Sequence, residues 1–377
     1  MRRVRFLLTV VGLFTLLHAY IGWRLLPALP IGDAGRLAGV ALLALSATLI
    51  PAGMLARFYV PRPLLADRLT WVGSLLMGLF SSLLVLTVLR DLVLALVPAK
   101  LLAGDTAILV PSSALLVTLI GFVNARRPPR LVEVDIPIAG LPPALAGFSI
   151  VQISDIHVGA TIKADYVQAI VDQANGLDAD LIAITGDVVD GSVERLAPHT
   201  APLAGLRARH GCYFVTGNHE YYSGAADWVA EFRRLGLRVL MNEHEIVEHG
   251  GARLLVAGVT DYSAQLFDPA QASDPLAALA GAPAEYAPRI LLAHQPRSAS
   301  AAAAAGFDLQ LSGHTHGGQF WPWNHFVRLQ QPYTAGLHRL DKLWIYTSRG
   351  AGYWGPPKRF GAPAEITRLR LVPAATE

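Results

Sequence analysis

Two histidines, His314 and His316, stand on either side of Thr315 in a stretch that glycines flank at 313, 317 and 318. In an extended segment, residues i and i+2 point to the same side, so both imidazoles can face one site. The glycines allow the backbone to turn sharply and to approach a ligand closely. Imidazoles at this spacing are candidate metal ligands, and the alternative is a polar turn with two solvated histidines.

Further residues of metal-binding types occur upstream in four short patterns. They are Asp155-Ile156-His157, Gly186-Asp187-Val188-Val189-Asp190, Gly217-Asn218-His219-Glu220 and the single His294. The predicted ligands are Asp155, His157, Asp187, Asn218, His294, His314 and His316. This nitrogen and oxygen set without thiolate suits Mn, Fe, Zn or Ni.

Seven ligands are more than one tetrahedral ion needs, so the sequence predicts two divalent ions that share a bridging carboxylate. Two ions about 3.5–4 Å apart can clamp an in-line displacement at phosphorus and activate the attacking water. The predicted substrate is therefore a phosphate ester or a phosphate anhydride.

Apolar segments predict the strands that position these residues: 148–153, 181–185, 213–216, 290–293 and 309–311. Each of the five runs into an Asp, Asn or His at its C-terminal end, and ligands of α/β sheets bind beyond those ends. Helical periodicity predicts helices at 164–174, 194–206, 225–235 and 299–305. Strands are also predicted at 132–138, 343–347 and 366–371.

Together the five patterns resemble the calcineurin-like metallophosphoesterases, whose motifs are D-x-H, G-D-x-x-D, G-N-H-[DE], a lone H and G-H-T-H. The resemblance covers about residues 145–372. It implies an α/β fold, a four-layer α/β/β/α sandwich. It also implies a first metal held by Asp155, His157, Asp187 and His316, and a second held by Asn218, His294 and His314, with Asp187 bridging.

The resemblance also implies roles for residues that do not bind metal. His219 would contact the phosphate and act as general acid, while Asp190 and Glu220 would orient its neighbours. The stretch 313–319 and the late glycine-rich stretch 348–360 are similar to a bacterial membrane-associated branch, which includes proteins similar to phosphodiesterases and to a UDP-2,3-diacylglucosamine pyrophosphatase. Arg349 and Arg359 in that stretch are predicted, with Asn218, to contact substrate phosphate; surface ion pairing is the alternative for the two arginines.

Charge is distributed unevenly along the 377 residues. Residues 1–130 hold 13 Lys and Arg against 4 Asp and Glu, whereas residues 131–377 hold 18 against 24 and carry 11 of the 12 histidines. The basic balance therefore belongs to the N-terminal third, and nucleic acid is not an expected partner. Cys212 is the only cysteine, which excludes an intrachain disulfide and suits a small buried role.

Four apolar runs predict a transmembrane region over 1–125, with spans at about 6–23, 37–56, 69–89 and 106–125. Residues 126–144 form a basic linker and a first strand, and the phosphoesterase domain occupies 145–372. Nine basic residues flank the spans on the side of both termini and the second loop: Arg2, Arg3, Arg5, Arg57, Arg62, Arg68, Arg126, Arg127 and Arg130. The predicted location is a bacterial-type inner membrane, with the phosphoesterase domain in the cytoplasm.

The predicted function is that of a membrane-anchored phosphohydrolase with two metal ions, which cleaves a phosphodiester or diphosphate, favouring a lipid-linked substrate. A soluble nucleotide or a phosphoprotein is the alternative substrate. A catalytically idle membrane sensor is disfavoured because none of the motif residues is missing, and a transporter is disfavoured because the apolar runs carry no charge. The oligomeric state stays open.

Overall fold

The computed structural model describes residues 2–96, 99–283 and 288–374, with the side chains of 2–4, 6–8 and 99–102 left out. The chain divides into two compact units. The helical unit comprises Met1–Arg126 and Gly355–Phe360, and the sheet unit comprises Arg127–Trp354 and Gly361–Glu377. The segment Gly355–Phe360, which the sequence places in the phosphoesterase domain, thus groups with the N-terminal helices.

Four long helices build the helical unit: α1 Arg2–Leu25, α2 Asp33–Tyr59, α3 Pro63–Leu96 and α4 Ala99–Arg126. Each predicted apolar run lies within one of them, and all four are long and apolar enough to cross a membrane. The basic side chains of Arg2, Arg3 and Lys100, which bear on the predicted orientation, lie outside the described residues.

Helix α3 continues past the apolar run into Arg90 and Asp91. Asp91 accepts two hydrogen bonds from the Arg24 guanidinium of α1, at 2.7 and 2.8 Å, and a third from the Tyr20 hydroxyl. Arg90 is buried and donates to the Thr106 hydroxyl of α4 at 3.1 Å. Polar groups therefore join three of the four helices near one end of the bundle.

Glycines allow α2 and α3 to pack closely. A Cβ atom on Gly53 would lie 2.6 Å from the Leu69 carbonyl oxygen and 2.9 Å from the Gly73 Cα. Small residues at such a crossing let two backbones approach closely. In a lipid bilayer the hydrophobic effect does not drive helices together, so they associate through close packing of this kind.

We expect Gly53→Leu to separate α2 from α3 and to destabilise the helical unit by about 1–3 kcal/mol, the usual effect of overpacking. The measurement is thermal unfolding of the full chain in detergent. Gly12→Leu on α1 is the matched control, because a Cβ there would meet nothing within 4 Å among the described atoms. Equal melting temperatures for the two variants would contradict the close crossing.

Two six-stranded sheets form the sheet unit. The strands are β1 Arg130–Ile138, β2 Ser149–Ile153, β3 Leu181–Ile184, β4 Cys212–Phe214, β5 Arg238–Val239, β6 Glu243–His249, β7 Ala252–Gly258, β8 Arg289–Leu292, β9 Leu309–Ser312, β10 Gly336–Leu340, β11 Leu343–Thr347 and β12 Glu365–Pro373. The first sheet has the order β1-β12-β2-β3-β4-β5 and the second β10-β11-β9-β8-β7-β6.

In the described residues the sheet unit has six α-helices, of which the periodicity predicts four and misses those that begin at Asn218 and Trp323. They are α5 Ala164–Asn175, α6 Val193–Thr200, α7 Asn218–Ser223, α8 Ala225–Arg234, α9 Ala299–Ala305 and α10 Trp323–Phe326. The helix predicted over 194–206 ends as an α-helix at Thr200 and continues as a 3₁₀ turn, Ala201–Gly205, because Pro202 cannot donate to the helical ladder.

The two sheets share one apolar core. Side chains of the first sheet, such as Ile150 and Leu181, pack with Val256 and Leu311 of the second. Strands β2, β3, β4 and β5 run parallel, as do β7, β8, β9 and β11. Parallel strands end at one edge of a sheet, so the polar residues that follow the strands of each sheet collect at one edge.

Candidate metal centre

The residues that follow five strand ends come together in one cluster of histidine and aspartate. Three groups of three have ligand atoms within 4.8 Å of one another. They are Asp155, His157 and His316; His157, Asp187 and His219; and Asp187, His294 and His314. Six of the seven predicted ligands therefore belong to overlapping groups, and the seventh, Asn218, begins α7 at the end of β4.

Asp187 is common to two of these groups. Its Oδ2 atom lies 3.1 Å from His294 Nε2, 3.9 Å from His157 Nε2 and 4.0 Å from His219 Nε2. Its other oxygen, Oδ1, accepts the backbone N–H of His219 at 2.8 Å. One buried carboxylate is thus positioned between histidines of both sheets.

Backbone conformation also marks these residues. Asp155, His157, Asp187, His314 and His316 have φ angles between 51° and 70°, in the left-handed region. Residues other than glycine adopt this region rarely, and such strain clusters at functional sites. The positive φ at each residue turns the backbone where the chain leaves a strand. The turn changes the direction of the side chain, so that two residues of one motif can face the same cluster.

The side chains fit divalent metal ions. Asn218 Oδ1 is buried and has no hydrogen-bond partner among the described residues, as expected for an atom that binds a cation. His157 Nε2 lies 3.0 Å from His316 Nε2, and His314 Nδ1 lies 3.2 Å from His294 Nε2. Paired nitrogens of this kind, next to carboxylates, form a donor set for borderline divalent ions.

Hydrogen bonds orient the ligands from behind. His294 Nδ1 approaches the Thr185 carbonyl oxygen at 2.7 Å, which leaves Nε2 for the centre. The Asp155 carboxylate accepts the backbone N–H of His314 at 3.0 and 3.1 Å. Such partners fix the ring orientation of a metal-binding histidine.

His219 and Asp190 form a pair at one side of the cluster. His219 Nδ1 makes a short hydrogen bond with Asp190 Oδ1, and the same oxygen lies 3.2 Å from His157 Nδ1. Asp190 therefore holds both rings, one of a predicted ligand and one of the predicted general acid.

Charge and burial shift the pKa values of these groups in opposite directions. Burial alone would lower the pKa of His219, but the Asp187 charge and the Asp190 hydrogen bond raise it to about 9. For His314, burial and the neighbouring His294 charge lower the pKa to about 3. The raised pKa suits His219 to give a proton, and the lowered pKa suits His314 to bind a cation through a neutral ring.

Glu220 joins two loops. Its buried carboxylate accepts the backbone N–H groups of Gly217 at 2.7 Å, Asp187 at 2.9 Å and Val188 at 2.8 Å. Gly217 is required because a Cβ there would collide with the Asp187 backbone nitrogen, at 2.6 Å. Glu220 therefore links the loop after β3 to the loop after β4 by hydrogen bonds, a bracketing role between the two loops.

Replacing Glu220 by alanine leaves these buried donors without an acceptor. At about 1–3 kcal/mol for each unpaired group, we expect a loss of roughly 3–5 kcal/mol and a fall in Tm of about 10 °C. The measurement is thermal unfolding of the full chain. Glu220→Gln keeps one acceptor oxygen, so its melting temperature should lie between those of wild type and Glu220→Ala. A melting temperature unchanged in Glu220→Ala would contradict the bracketing role.

The two predicted arginines interact with other groups of the chain. Arg349 pairs with the buried Glu365 at 2.7 Å and keeps 34% of its side chain exposed. A Cβ on Gly317 would lie 3.0 Å from Arg349 Cγ, so this arginine borders the His316 loop. Arg359 belongs to the helical unit, where its backbone N–H donates to the Gly121 carbonyl oxygen of α4.

Two aromatic residues near His219 are absent from the sequence prediction. Tyr222 and Trp354 place their ring centroids 5.2 and 5.8 Å from that of His219, and both side chains are 55% exposed. Tyr222 follows the metal motif by two residues on α7, so helical spacing could have suggested it. Trp354 approaches from a distant loop, and no spacing in the sequence indicates its position.

The model of calcineurin-like phosphoesterases matches residues 148–318. An uncharacterized metallophosphoesterase of Aquifex aeolicus is 33% identical over 225 residues, which cover 59% of this chain and 84% of that protein. The chain belongs to the calcineurin-like metallophosphoesterase family.

Two further metallophosphoesterases are similar over a longer stretch. A bovine (Bos taurus) "transmembrane protein with metallophosphoesterase domain" is 39% identical over 279 residues, covering 70% of this chain and 63% of that protein. An uncharacterized metallophosphoesterase of Helicobacter pylori is 41% identical over 258 residues, which cover 67% of this chain and 66% of that protein. The matched stretch thus spans less than two thirds of the length of these two relatives.

Proposed function

We propose that this metallophosphoesterase hydrolyses a phosphodiester or diphosphate bond with two divalent metal ions, and that it does so on a lipid-linked substrate. The observation that carries the proposal is the position of Asp187, whose carboxylate belongs to two histidine groups at once. A single carboxylate between two sets of donors is the arrangement that a pair of bridged ions needs.

In this proposal Asp155, His157, Asp187 and His316 would hold one ion, and Asp187, Asn218, His294 and His314 would hold the other. Bound ions would supply Lewis acidity, neutralising phosphoryl oxygens and making water a better nucleophile. The chain's own residues then orient the reaction: His219 donates a proton to the leaving oxygen, while Asp190 holds its ring by Nδ1 and leaves Nε2 towards the substrate. Arg349, which borders the His316 loop, contacts the phosphate, and Arg359 as a second contact stays a prediction.

A lipid-linked substrate is supported by two features. Four helices of membrane-spanning length tether the sheet unit through the chain, which raises the effective concentration of lipid headgroups at the site. The exposed rings of Tyr222 and Trp354 beside His219 offer an apolar contact for the leaving group. A nucleobase can also stack on aromatic rings, so the membrane tether is the feature that favours a lipid over a soluble nucleotide or a phosphoprotein.

The cytoplasmic side is the proposed location of the sheet unit, in a bacterial-type inner membrane. Nine Arg residues flank the spans on the side of both termini, and short loops rich in Lys and Arg stay in the cytoplasm. A reporter enzyme fused to the C-terminus tests this orientation. Reporter activity of the periplasmic type at that end would overturn it.

The activity itself is tested with bis-p-nitrophenyl phosphate and p-nitrophenyl phosphate on the full chain, in a panel of Mn²⁺, Fe²⁺, Zn²⁺ and Ni²⁺. We expect turnover that a chelator abolishes and one of these ions restores, with the diester preferred. Turnover that is indifferent to chelation would overturn the metal-dependent assignment.

The substrate class has a separate test in Trp354→Ala. We expect KM to rise for a phosphodiester with long acyl chains and to change much less for bis-p-nitrophenyl phosphate, because an acyl chain buries more apolar surface against the ring than a p-nitrophenyl group does. An unchanged KM for the acylated diester would favour the soluble substrates, and it would leave the phosphoesterase activity itself untouched.

A further inference from the structure

A second group of metal-binding side chains lies at the opposite end of the strands from the candidate centre. Asp180 directly precedes β3, His210 stands two residues before β4, and His249 is the last residue of β6. The candidate centre follows the C-terminal ends of β3 and β4, whereas Asp180 and His210 precede their N-terminal ends. None of these three residues belongs to the five phosphoesterase motifs.

The ligand atoms of the three residues converge. His210 Nε2 lies 3.0 Å from His249 Nδ1, and the same His249 nitrogen lies 3.7 Å from Asp180 Oδ1. All three ligand atoms lie within 4.8 Å of one another. In a tetrahedral zinc site with bonds of about 2.0–2.1 Å, neighbouring ligand atoms are about 3.3 Å apart, and the two observed separations lie on either side of that value.

Surrounding groups hold these side chains in place. Asp180 Oδ2 accepts the backbone N–H and the hydroxyl of Ser149 at 2.9 and 3.0 Å, so Oδ1 is the oxygen that faces the histidines. Oδ1 also lies 3.4 Å from the guanidinium of Arg209, a side chain that is 67% exposed. The ring of Phe148 packs on both imidazoles, with centroid distances of 5.8 Å to His210 and 5.1 Å to His249.

We propose that Asp180, His210 and His249 bind a zinc ion that joins the two sheets. Asp180 and His210 belong to connections of the first sheet, and His249 ends a strand of the second. Two imidazoles and one carboxylate are a zinc donor set, and water completes the four-coordinate geometry. An ion here links elements that are far apart in the chain, and it does so at the edge of the sandwich farthest from the phosphoesterase motifs.

The competing interpretation is a hydrogen-bonded imidazole pair beside a carboxylate, without an ion. The two differ in zinc content and in the dependence of stability on zinc. Glutamine at position 249 keeps a polar side chain of similar size but is a poor zinc ligand, so His249→Gln separates them. Because the site lies apart from the catalytic cluster, the variant should keep its hydrolysis of bis-p-nitrophenyl phosphate.

The experiment measures zinc bound per chain, by mass spectrometry of the metal, after the full chain is stripped with a chelator and dialysed against Zn²⁺. We expect wild type to hold one zinc more than His249→Gln, and His325→Gln, an exposed histidine outside the groups described, to match wild type. His294→Gln should lose catalytic metal and keep the zinc at His249. Equal zinc content in wild type and His249→Gln would overturn the proposal.

Thermal unfolding gives an independent measurement. Zinc at about a hundredfold excess over Kd should raise the Tm of wild type and of His294→Gln by about 5–10 °C, beyond any rise in His249→Gln. Should His249→Gln fail to fold, Asp180→Asn removes one ligand while an amide oxygen still accepts from Ser149. A Tm that responds to zinc equally in wild type and Asp180→Asn would also overturn the site.

Discussion

Replacing Asp187 by asparagine is expected to lower the metal-dependent turnover of bis-p-nitrophenyl phosphate by about 10³-fold or more, since metal clamps supply several kcal/mol of transition-state stabilisation. The carboxylate is buried, and its Oδ2 lies 3.1 Å from His294 Nε2. Asparagine keeps the size and one oxygen, which can still accept the backbone N–H of His219. What it removes is the negative charge between the histidine groups, so both proposed ions lose a ligand in one substitution.

Metal content per chain is measured beside kcat, because the proposed cause is loss of metal. Asp172→Asn is the matched control: it removes a carboxylate from the exposed face of α5, where Asp172 accepts from Gln168. The control should keep wild-type turnover and metal. Full metal content with unchanged kcat in Asp187→Asn would refute the bridging role, whereas lost turnover with full metal content would point to a role in charge alone.

The ligand-type residues of the centre could be predicted from sequence because each follows an apolar strand. The strand 181–185 runs into Asp187, and the strand 290–293 runs into His294. Parallel strands bring such ends to one edge of each sheet, so local pattern predicts convergence within a sheet, and the packing of the two sheets brings the two edges together. In the structure Asp187 and His294 lie 3.1 Å apart although more than a hundred residues separate them.

Other features depend on contacts that local pattern does not carry. The segment Gly355–Phe360 has a glycine and two prolines, as an ordinary loop does, yet it belongs with the helices. There Lys358 Nζ donates to the Gly78 carbonyl oxygen at 2.8 Å and to the Thr118 hydroxyl at 3.3 Å. A lysine in a loop is normally exposed to solvent. Lys358 is buried only because α3 and α4 pack around it.

The left-handed backbone conformation of the predicted ligands also depends on tertiary contacts. Histidine adopts a positive φ more often than most residues, but the conformation is still uncommon for it, so the residue types of His157 and His316 do not predict it. The conformation persists because neighbouring strands hold both sides of each turn, for example through the His157 N–H, which donates to the Asp187 carbonyl oxygen at 3.1 Å. Strained backbone of this kind depends on tertiary contacts, so it cannot be predicted from the local sequence.

His219→Gln is the second substitution with a large expected effect, and its size should depend on the leaving group. A general acid contributes about 10²–10⁴-fold, and only where the departing oxygen needs a proton. We therefore expect kcat to fall by that factor for an alkyl phosphodiester. The fall should be much smaller for bis-p-nitrophenyl phosphate, because p-nitrophenolate leaves readily as an anion.

Metal content and leaving-group dependence together separate a general acid from a ligand. The ring of His219 lies 4.0 Å from Asp187 Oδ2, close enough that a direct metal role must be tested. Unchanged metal content with a fall confined to the alkyl diester supports proton donation; equal falls for both substrates with lost metal would make His219 a ligand instead. Tyr222→Phe, which keeps the neighbouring ring 5.2 Å away, is the matched control and should leave both rates unchanged. Proton donation by His219 would then rest on Asp190, whose carboxylate orients that ring and the ring of His157 through one oxygen.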